Sequence, residues 1–360
     1  MYTSDIDCLS NGAPHSKESK DFVNLIDSIP RSQEYDFIRC YVTSDLFHKV
    51  ANLTKNIHFQ IAEFVSIIKQ ESEILATLIE STNIYRSELS NNDNKDFHAH
   101  FEKYTQAHYG NLFSNFSEYH YFDEPFELLN QRLQRSNIII DTNNKRALDA
   151  GCGGGRYTIA LKKLGFKFVE GVDFSEININ TAKSKQNNTE FSDIKYKIGN
   201  VLDLPYEDNR FDFVFSNGVL HHSESIEKGL SEMHRVMKKG GLGWIYLIEK
   251  PGGVHWDTIE LLRRLIKPVD PELARLTLKL LGVPSNRVFY ILDHIMVPIN
   301  TRITINDIEK LLVDAGFNSL RRLDRGVDFD RIEHLKKIDH DNDAIWKYGV
   351  GEHRYIFSKS

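Results

Sequence analysis

A glycine-rich turn near the middle of the chain constrains its fold more than any other feature. Residues 148–157 read L-D-A-G-C-G-G-G-R-Y, after a short apolar run and before a helical pattern. Glycines at 151, 153 and 155 let the backbone come very close to a ligand. Asp173 follows at the end of the next apolar run, where a carboxylate accepts hydrogen bonds from ribose hydroxyls. The turn therefore predicts a βαβ unit that binds a nucleotide-like ligand at Gly151, Gly153 and Gly155.

Two further residues of the turn bear on the charge of that ligand. A dinucleotide-binding turn follows the pattern G-x-G-x-x-G, which requires glycine at position 156, and this chain has Arg156 there. Asp149 precedes the first glycine and places a carboxylate near the ligand. A carboxylate attracts a cationic group and repels a pyrophosphate. The turn therefore favours a ligand with a positively charged group, and a nicotinamide-dependent oxidoreductase on a similar sheet is the weaker alternative.

Strand and helix patterns alternate along the chain from residue 146 onward. Between stretches of helical pattern, short apolar runs predict strands at 147–150, 168–172, 194–198, 211–216, 242–248, 319–323 and 353–358. Ser175 is placed to cap a helix, and Lys238, Lys239 and Gly240 are typical of a helix end. This alternation predicts an α/β fold with a Rossmann-like, seven-stranded, mostly parallel sheet and helices on both faces.

The remaining segments differ in composition from this alternating core. Apolar residues recur at helical spacing between residues 36 and 89, and a polar tract at 90–96 follows them. Aromatic residues crowd the segment after that tract. The predicted segments are a loose N-terminus (1–20), a helical N-terminal domain (21–95), aromatic-rich lid or linker helices (96–144), a ligand-binding core (145–250), a helical insertion after the fifth strand (251–302), and the C-terminal helix with the last two strands of the core (303–360).

Composition and charge narrow the class of partner. The formal net charge is -6, so the chain has no basic field that would hold a polyanion, and no nucleic-acid partner is expected. The three cysteines lie far apart and the histidines are scattered, so we expect no metal site. The N-terminal residues lack the pattern of a secretory signal, and no apolar stretch approaches the length that crosses a bilayer. The sequence therefore predicts a cytoplasmic protein without a membrane span.

Four blocks, taken together, resemble the class I S-adenosylmethionine-dependent methyltransferases of the small-molecule type. The blocks are L-D-A-G-C-G-G-G (148–155), G-V-D-F-S (171–175), G-N-V-L-D-L-P-Y (199–206), and F-D-F-V-F-S-N-G-V-L-H-H followed by R-V-M-K-K-G-G, ending at 241. Each block alone is moderately specific, whereas the ordered set is highly specific. The resemblance covers residues 145–249 and implies S-adenosylmethionine as the cofactor.

The resemblance also implies where the two ends of the cofactor lie. Its methionyl part would lie over Asp149, Gly151 and Gly153, with Asp149 near the ammonium group. Asn217, at the end of the fourth predicted strand, would face the same end. Asp173 would hold the ribose.

Further residues are expected around the adenine and over the cofactor. The resemblance puts Phe174 beside the adenine and Val201 against the ring. Asn200 stands where the family usually has an aspartate that contacts the adenine amino group, and an amide oxygen can accept the same hydrogen bond. Because an aromatic helix before the first strand often covers the cofactor in this family, Tyr104 and Tyr109 are lid candidates, with plain packing as the alternative.

Three histidines are candidates for a general base, which an oxygen or carbon acceptor would need. His221 and His222 follow the fourth predicted strand, on the rim where the acceptor should enter, and His255 follows the fifth. A histidine is the usual proton acceptor near neutral pH. A capping or packing role is the alternative for His221 and His222, and both interpretations stay open at this point.

The sequence carries no motif that names the methyl acceptor. The amino-methyltransferases of DNA carry an N-P-P-Y type motif after the fourth strand, where this chain has S-N-G-V. Aromatic residues and histidines around the rim could line an enclosed pocket, which favours a small molecule or a metabolic intermediate as acceptor. A non-catalytic S-adenosylmethionine-binding or assembly protein is the alternative. The N-terminal helices could pair two copies of the chain as a homodimer.

Overall fold

The computed structural model describes residues 12–56, 59–89, 117–187, 189–283, 294–323 and 346–360, together with residues 288, 291 and 292. These residues divide into two units. The helical unit holds the described residues of Met1–Ala99, Lys250–Pro298 and His334–Val350. The sheet unit holds those of His100–Glu249, Ile299–Glu333 and Gly351–Ser360.

A seven-stranded sheet forms the centre of the sheet unit. Its strands are β1 (Arg146–Ala150), β2 (Phe168–Asp173), β3 (Lys195–Ile198), β4 (Phe211–Asn217), β5 (Met237–Leu247), β6 (Phe317–Arg322) and β7 (His353–Lys359). Their spatial order is β3-β2-β1-β4-β5-β7-β6. Strands β1 to β5 pair in parallel, whereas β7 runs antiparallel to both β5 and β6. The predicted Rossmann-like, mostly parallel sheet is confirmed.

The strand order reverses at β1, which lies between β2 and β4. The chain leaves β1 toward β2 and β3 and then crosses to the other side at β4. Asp149 of β1 pairs with Gly171 of β2 and with Phe215 of β4, so the carboxyl ends of these three strands lie side by side. Ligands of open parallel sheets bind in the crevice outside such a reversal.

Helices cover both faces of this sheet. They are α4 (Glu124–Arg135), α5 (Arg156–Lys163), α6 (Glu176–Gln186), α7 (Ile226–Val236) and α10 (Ile305–Asp314). One buried cluster joins α7 and α10 to the sheet, and a second joins α4, α5 and α6 to its other face. The hydroxyls of Ser175, Ser225 and Thr304 each accept a backbone N–H of the first turn of α6, α7 and α10. The predicted cap at Ser175 is therefore present.

Aromatic packing stabilises the face of the sheet that α4, α5 and α6 cover. Phe215 stacks on Trp244 with ring centroids 5.5 Å apart, and Phe166 stacks on Phe213 at 5.2 Å. All four side chains are fully buried. Burial of each large apolar side chain contributes roughly 1.5–3 kcal/mol, so this layer holds β4 and β5 firmly beneath the carboxyl edge.

The helix end predicted at Lys238, Lys239 and Gly240 is wrong. Helix α7 ends at Val236, and β5 begins at the next residue. Met237 is buried and pairs with Phe211 of β4, while Lys238 Nζ contacts both carboxylate oxygens of Asp212 at 2.9 and 3.0 Å. These contacts with β4 hold the segment as strand and outweigh its helix-ending composition.

The helical unit contains α1 (Ser16–Ser28), α2 (Asp36–Leu53), α3 (Ile61–Leu89), α8 (Gly253–Ile266) and α9 (Pro271–Leu280). Arg39 of α2 donates to the carbonyl of Leu265 in α8 at 2.7 Å, and His15 Nε2 lies 2.8 Å from Asp257 Oδ2. The predicted N-terminal domain and the predicted insertion therefore pack together as one unit.

Two boundaries differ from those that the sequence predicts. Helix α1 begins at Ser16, inside the predicted loose N-terminus, because Ser19 and Phe22 are buried in the helical unit. Residues 346–350, predicted as part of the core, belong to the helical unit, where Tyr348 donates to the carbonyl of Thr54 at 3.2 Å. None of the helices in the described ranges combines the length with the hydrophobicity that a membrane span requires.

Candidate functional site

The glycine turn joins the carboxyl end of β1 to α5. Gly151, Gly153 and Gly155 adopt φ angles of 84°, 50° and 90°, in the left-handed region that favours glycine. A Cβ on Gly151 would lie 2.4 Å from a methyl carbon of Val219, and one on Gly155 would lie 2.7 Å from the hydroxyl of Tyr196. The interpretation of the sequence explains these glycines by the close approach of a ligand alone. In the structure, Gly151 and Gly155 are also required by the protein's own packing.

Asp173 ties the turn to the end of β2. Its carboxylate accepts hydrogen bonds from Gly153 N–H at 2.9 Å, from Ser175 N–H at 3.0 Å and from Asn178 Nδ2 at 3.1 Å. The first bond uses Oδ2 and the other two use Oδ1, so Oδ2 keeps a lone pair for a further donor. Burial raises the pKa of this carboxyl, and the three hydrogen bonds oppose that shift. The arrangement suits a carboxylate that accepts one hydroxyl of a ribose.

Asp149 lies beneath the turn and is fully buried. Its Oδ2 accepts a hydrogen bond from Thr158 Oγ1 of α5 at 2.7 Å. Burial raises the pKa of Asp149 to about 7; the Thr158 hydrogen bond lowers it and the nearby Asp173 raises it. A cation placed beside this carboxyl would stabilise its ionised form. Two buried carboxyls thus make the edge of β1 and β2 favourable for a positively charged ligand.

The residues expected around an adenine follow β2 and β3. Phe174 is 51% exposed and presents a large apolar side chain directly after Asp173. Val201 is half-buried and Asn200 is exposed. Asn200 Oδ1 accepts a hydrogen bond from Leu202 N–H at 2.8 Å, which uses one of its two lone pairs. The amide oxygen can still accept a second donor, as the proposed adenine contact requires.

Asn217 ends β4 and faces the α5 side of the sheet. Its Oδ1 accepts a hydrogen bond from Trp244 Nε1 at 3.2 Å. Because the indole N–H can only donate, this bond determines which end of the amide faces Trp244. The Nδ2 group of Asn217 therefore points elsewhere and can donate to an anionic group such as a ligand carboxylate.

A short π-helix, Tyr119–Asp123, packs against the turn, and the sequence did not identify it as part of the site. The buried Tyr121 donates its hydroxyl to the carbonyl of Gly154. Arg156 donates to the carbonyl of His120 at 2.9 Å and to Glu124 at 2.9 Å. The only sequence signal for this role was the crowding of aromatic residues before β1. Tyr104 and Tyr109, the predicted lid residues, lie outside the described residues.

We expect Tyr121→Phe to lower the melting temperature by about 2–4 °C, because a buried hydrogen bond contributes roughly 1 kcal/mol. The affinity for the expected cofactor should fall as well, because the turn loses an anchor. Tyr355→Phe is the matched control, since Tyr355 donates to Glu309 at 3.0 Å away from the turn. It should lose stability without losing affinity, as thermal denaturation and calorimetry can measure. Equal affinities of Tyr121→Phe and wild type would contradict the anchoring role.

His221 and His222 lie in a short 3-10 helix, Leu220–His222, just beyond β4. Their ring centroids are 4.1 Å apart. His221 is buried, whereas His222 is half-buried. His222 Nδ1 lies 2.9 Å from the carbonyl of Ile299, which can only accept, so Nδ1 carries the proton and Nε2 is the basic nitrogen of the neutral ring. The geometry therefore favours His222 over His221 as a base.

His255, the third candidate base, belongs to the helical unit. It lies in the first turn of α8, with ring centroids 5.5 Å from Trp256 and 5.9 Å from Tyr348. Its proposed role in catalysis stays a prediction. Across the described part of the chain, no group of three or more His, Cys, Asp or Glu side chains is arranged to hold a metal ion.

Comparison with known proteins identifies relatives of the central segment. Residues 148–245 match the family model described as "Methyltransferase domain". Demethylmenaquinone methyltransferase of Staphylococcus aureus (strain MRSA252) is 39% identical over 99 residues, 27% of this chain and 40% of the relative. The protein of the same name from Bacillus subtilis (strain 168) is 38% identical over 98 residues, 27% of this chain and 42% of the relative. The chain thus spans about two fifths of the length of these curated relatives.

Among solved structures, an SAM-dependent methyltransferase from Thermotoga maritima is 18% identical with a TM-score of 0.41. The match covers 71% of this chain and 100% of that one.

The family match at residues 148–245 spans the glycine turn, Asp173, Asn217 and both histidines of the 3-10 helix. It therefore coincides with the carboxyl edge at which the structure brings these residues together.

Proposed function

Because residues 148–245 form a class I S-adenosylmethionine-dependent methyltransferase domain, we propose that the whole chain transfers a methyl group to a small-molecule acceptor. The observation that carries this proposal is the carboxyl edge of β1, β2 and β4. There the glycine turn, two buried carboxyls and a basic histidine nitrogen occur together.

S-adenosylmethionine, when bound, supplies an electrophilic methyl group on a sulfonium. Asp149 would stabilise the ammonium of the methionyl part, and Asn217 Nδ2 would donate to its carboxylate. Asp173 would accept a ribose hydroxyl through Oδ2. In an in-line displacement the bond from sulfur to the methyl carbon breaks as the bond from the acceptor to that carbon forms. The protein therefore needs chiefly to align the acceptor and exclude water.

We assign the general base to His222. The carbonyl of Ile299 holds the ring through Nδ1, and in this proposal Nε2 takes the proton that an oxygen or carbon acceptor loses. The buried His221 packs edge-on against His222 and against Tyr246, with ring centroids 5.7 Å apart in the second case. In this proposal His221 supports the position of His222.

We expect His222→Ala to lower kcat by roughly 10²–10⁴-fold, the usual contribution of a general base, with little change in the Kd of S-adenosylmethionine. Steady-state kinetics and calorimetry on the same preparation separate the two quantities. His234→Ala is the matched control. His234 lies near the end of α7, just before β5 begins, and therefore at the opposite ends of the strands from His222. Its ring contacts Phe317. An unchanged kcat in His222→Ala would remove His222 as the base.

A transfer assay tests the proposed function itself. The protein is incubated with S-adenosylmethionine labelled in the methyl group, and with either demethylmenaquinone in its reduced form or the small-molecule fraction of a cell extract. Demethylmenaquinone is the first defined acceptor to test, because the relatives that are 39% and 38% identical are named demethylmenaquinone methyltransferase. Label recovered in a small molecule supports the proposal. Binding of the cofactor without transfer to any fraction favours a non-catalytic or assembly role, and binding of a nicotinamide nucleotide alone favours an oxidoreductase.

A further inference from the structure

Two helices of the helical unit carry large apolar side chains that face solvent. On α2, Phe37 is 61% exposed, and Tyr41, one turn later, is exposed as well. On α9, Leu280 is 87% exposed, and Leu273 and Leu276 are exposed on the same face of the helix. These five residues are called the apolar strip below. Exposed apolar side chains that are contiguous and bordered by polar residues mark contacts with a partner or a membrane.

Helix α2 packs against α9, and the two helices run parallel. The carboxyls of Asp36 and Asp270, at the amino ends of the two helices, lie close enough to repel each other. Further along, Cys40 of α2 is hydrogen-bonded to the side chain of Thr277 of α9. Both helices therefore progress in the same direction from one contact to the next.

This parallel arrangement places both parts of the apolar strip on one side of the helix pair. Phe37 and Tyr41 each directly follow a contact residue of α2, and Leu276 directly precedes Thr277 of α9. Successive residues of a helix are about 100° apart. In two parallel helices, the position after the contact on one and the position before it on the other therefore turn toward the same side.

Basic residues flank the apolar strip. Lys267, which precedes α9, and Arg31, which precedes α2, are both exposed, as is Lys279 beside the leucines of α9. The pKa of Lys267 is lowered by desolvation first and then by the positive charges of Arg31, Arg264 and Arg263. These four groups therefore lie within electrostatic range of one another, at the amino ends of α2 and α9.

The charge of this region is opposite to that of the whole chain. Residues 263–280 contain five lysines and arginines and two acidic residues, a formal net charge of +3, whereas the chain carries -6. A two-fold contact with a second copy would bring two such positive regions together, which disfavours that occupant. A nucleic acid would leave the leucines in water. An anionic lipid surface offers both negative headgroups and an apolar layer beneath them.

We propose that the helical unit binds the surface of an anionic membrane through the apolar strip. Helix α9 lies along the membrane surface, and Leu276 and Leu280 enter the boundary between headgroups and acyl chains. Arg31, Lys267 and Lys279 lie at the level of the headgroups, because a long basic side chain can keep its charge in water while its stem covers apolar surface. This inference does not depend on methyl transfer.

The first test removes the apolar contact. The full chain is incubated with vesicles of phosphatidylcholine alone, or of equal parts of phosphatidylcholine and phosphatidylglycerol, and the bound fraction is measured by co-sedimentation. We expect the wild type to bind the anionic vesicles at least about tenfold more tightly than the neutral ones. The double variant Leu276→Ser with Leu280→Ser should lose at least about tenfold in this affinity. Val313→Ser is the matched control, because Val313 is an exposed apolar residue of α10 in the sheet unit.

The second test removes the charges. Arg31→Gln and Lys267→Gln should each weaken binding to the anionic vesicles about fivefold, and added salt should weaken the binding of the wild type. Lys310→Gln is the matched control, because Lys310 is exposed on α10. All these substitutions lie at exposed positions, so the melting temperatures should stay close to that of the wild type.

Several outcomes would overturn the proposal. Wild-type protein that binds neither kind of vesicle, or both kinds equally, would show that the region does not recognise an anionic membrane. Undiminished binding by the double leucine variant would show that the apolar strip is not the contact. Analytical ultracentrifugation without lipid gives a further outcome: a wild-type dimer that the double leucine variant disperses would assign the strip to a second copy of the chain. None of these results involves methyl transfer, so a failure here is distinct from a failure of the proposed function.

Discussion

Asp173→Ala is expected to weaken S-adenosylmethionine binding by about 100-fold or more. The Asp173 carboxylate accepts hydrogen bonds from Gly153 N–H, Ser175 N–H and Asn178 Nδ2, and the proposed ribose contact uses Oδ2. Hydrogen bonds to a charged group contribute roughly 1.5–3 kcal/mol each, and 1.4 kcal/mol is about tenfold in affinity. The substitution removes both the ribose contact and the bond that holds the turn at Gly153. Isothermal titration calorimetry measures the change.

Two further variants distinguish the roles of this carboxylate. Asp193→Ala is the control for charge, because Asp193 is exposed near the amino end of β3 and pairs with Lys162 at 2.7 Å. It should bind the cofactor as wild type does. Asp173→Asn keeps the size of the side chain and loses the negative charge, so its affinity should also fall. A folded Asp173→Ala protein with wild-type affinity would refute the ribose assignment.

Cofactor affinity is expected to fall about fivefold between pH 7 and pH 6, because burial raises the pKa of Asp149 to about 7. In the proposed complex the ammonium of the cofactor favours the ionised carboxylate. As pH falls below 7, the free protein takes up a proton at Asp149, and cofactor binding must expel that proton. The affinity is therefore greatest above the pKa and declines below it. Calorimetry across this pH range, in buffers of different ionisation enthalpy, also measures the released proton.

Variants at two positions assign this pH dependence to Asp149. Asp149→Asn removes the titrating group, so its affinity should be lower at pH 7 and should vary less between pH 7 and pH 6. Thr158→Val removes the hydrogen bond that lowers the pKa of Asp149, so the decline should begin at higher pH than in the wild type. A wild-type affinity that stays constant across this range would exclude the ammonium contact. The same slope in Asp149→Asn as in wild type would assign the effect to another group.

Much of the sheet unit could be read from the sequence because its signals are local. Strands β1, β2 and β4 are short, largely buried runs. The turn from Gly151 to Gly155 combines left-handed backbone angles with a position between a strand and a helix. Ser175 caps α6 through a hydrogen bond to a residue only three positions away. Asp173 follows from its place at the end of β2. These features need no knowledge of distant residues.

Other features depend on contacts between residues far apart in the chain. The prediction of a helix end at Lys238 is wrong because pairing with β4 holds this segment as a strand. The hydroxyl of Tyr121 donates to the carbonyl of Gly154, and the carbonyl of Ile299 holds the ring of His222. No periodicity or motif in the sequence predicts either contact. The predicted lid residues Tyr104 and Tyr109, and the predicted pairing of two copies through the N-terminal helices, stay predictions.

The sequence by itself determined the βαβ turn, the acidic residue at the end of β2 and the family of the central segment. Each of these depends on neighbouring residues or on the order and spacing of short motifs. Only the tertiary structure decided that the N-terminal helices α1 to α3 pack with α8 and α9, and that the carbonyl of Ile299 holds the ring of His222. Such contacts depend on packing between segments that are far apart in the chain. The glycine turn and Asp173 could therefore be predicted from the sequence, whereas the contacts that position His222 could not.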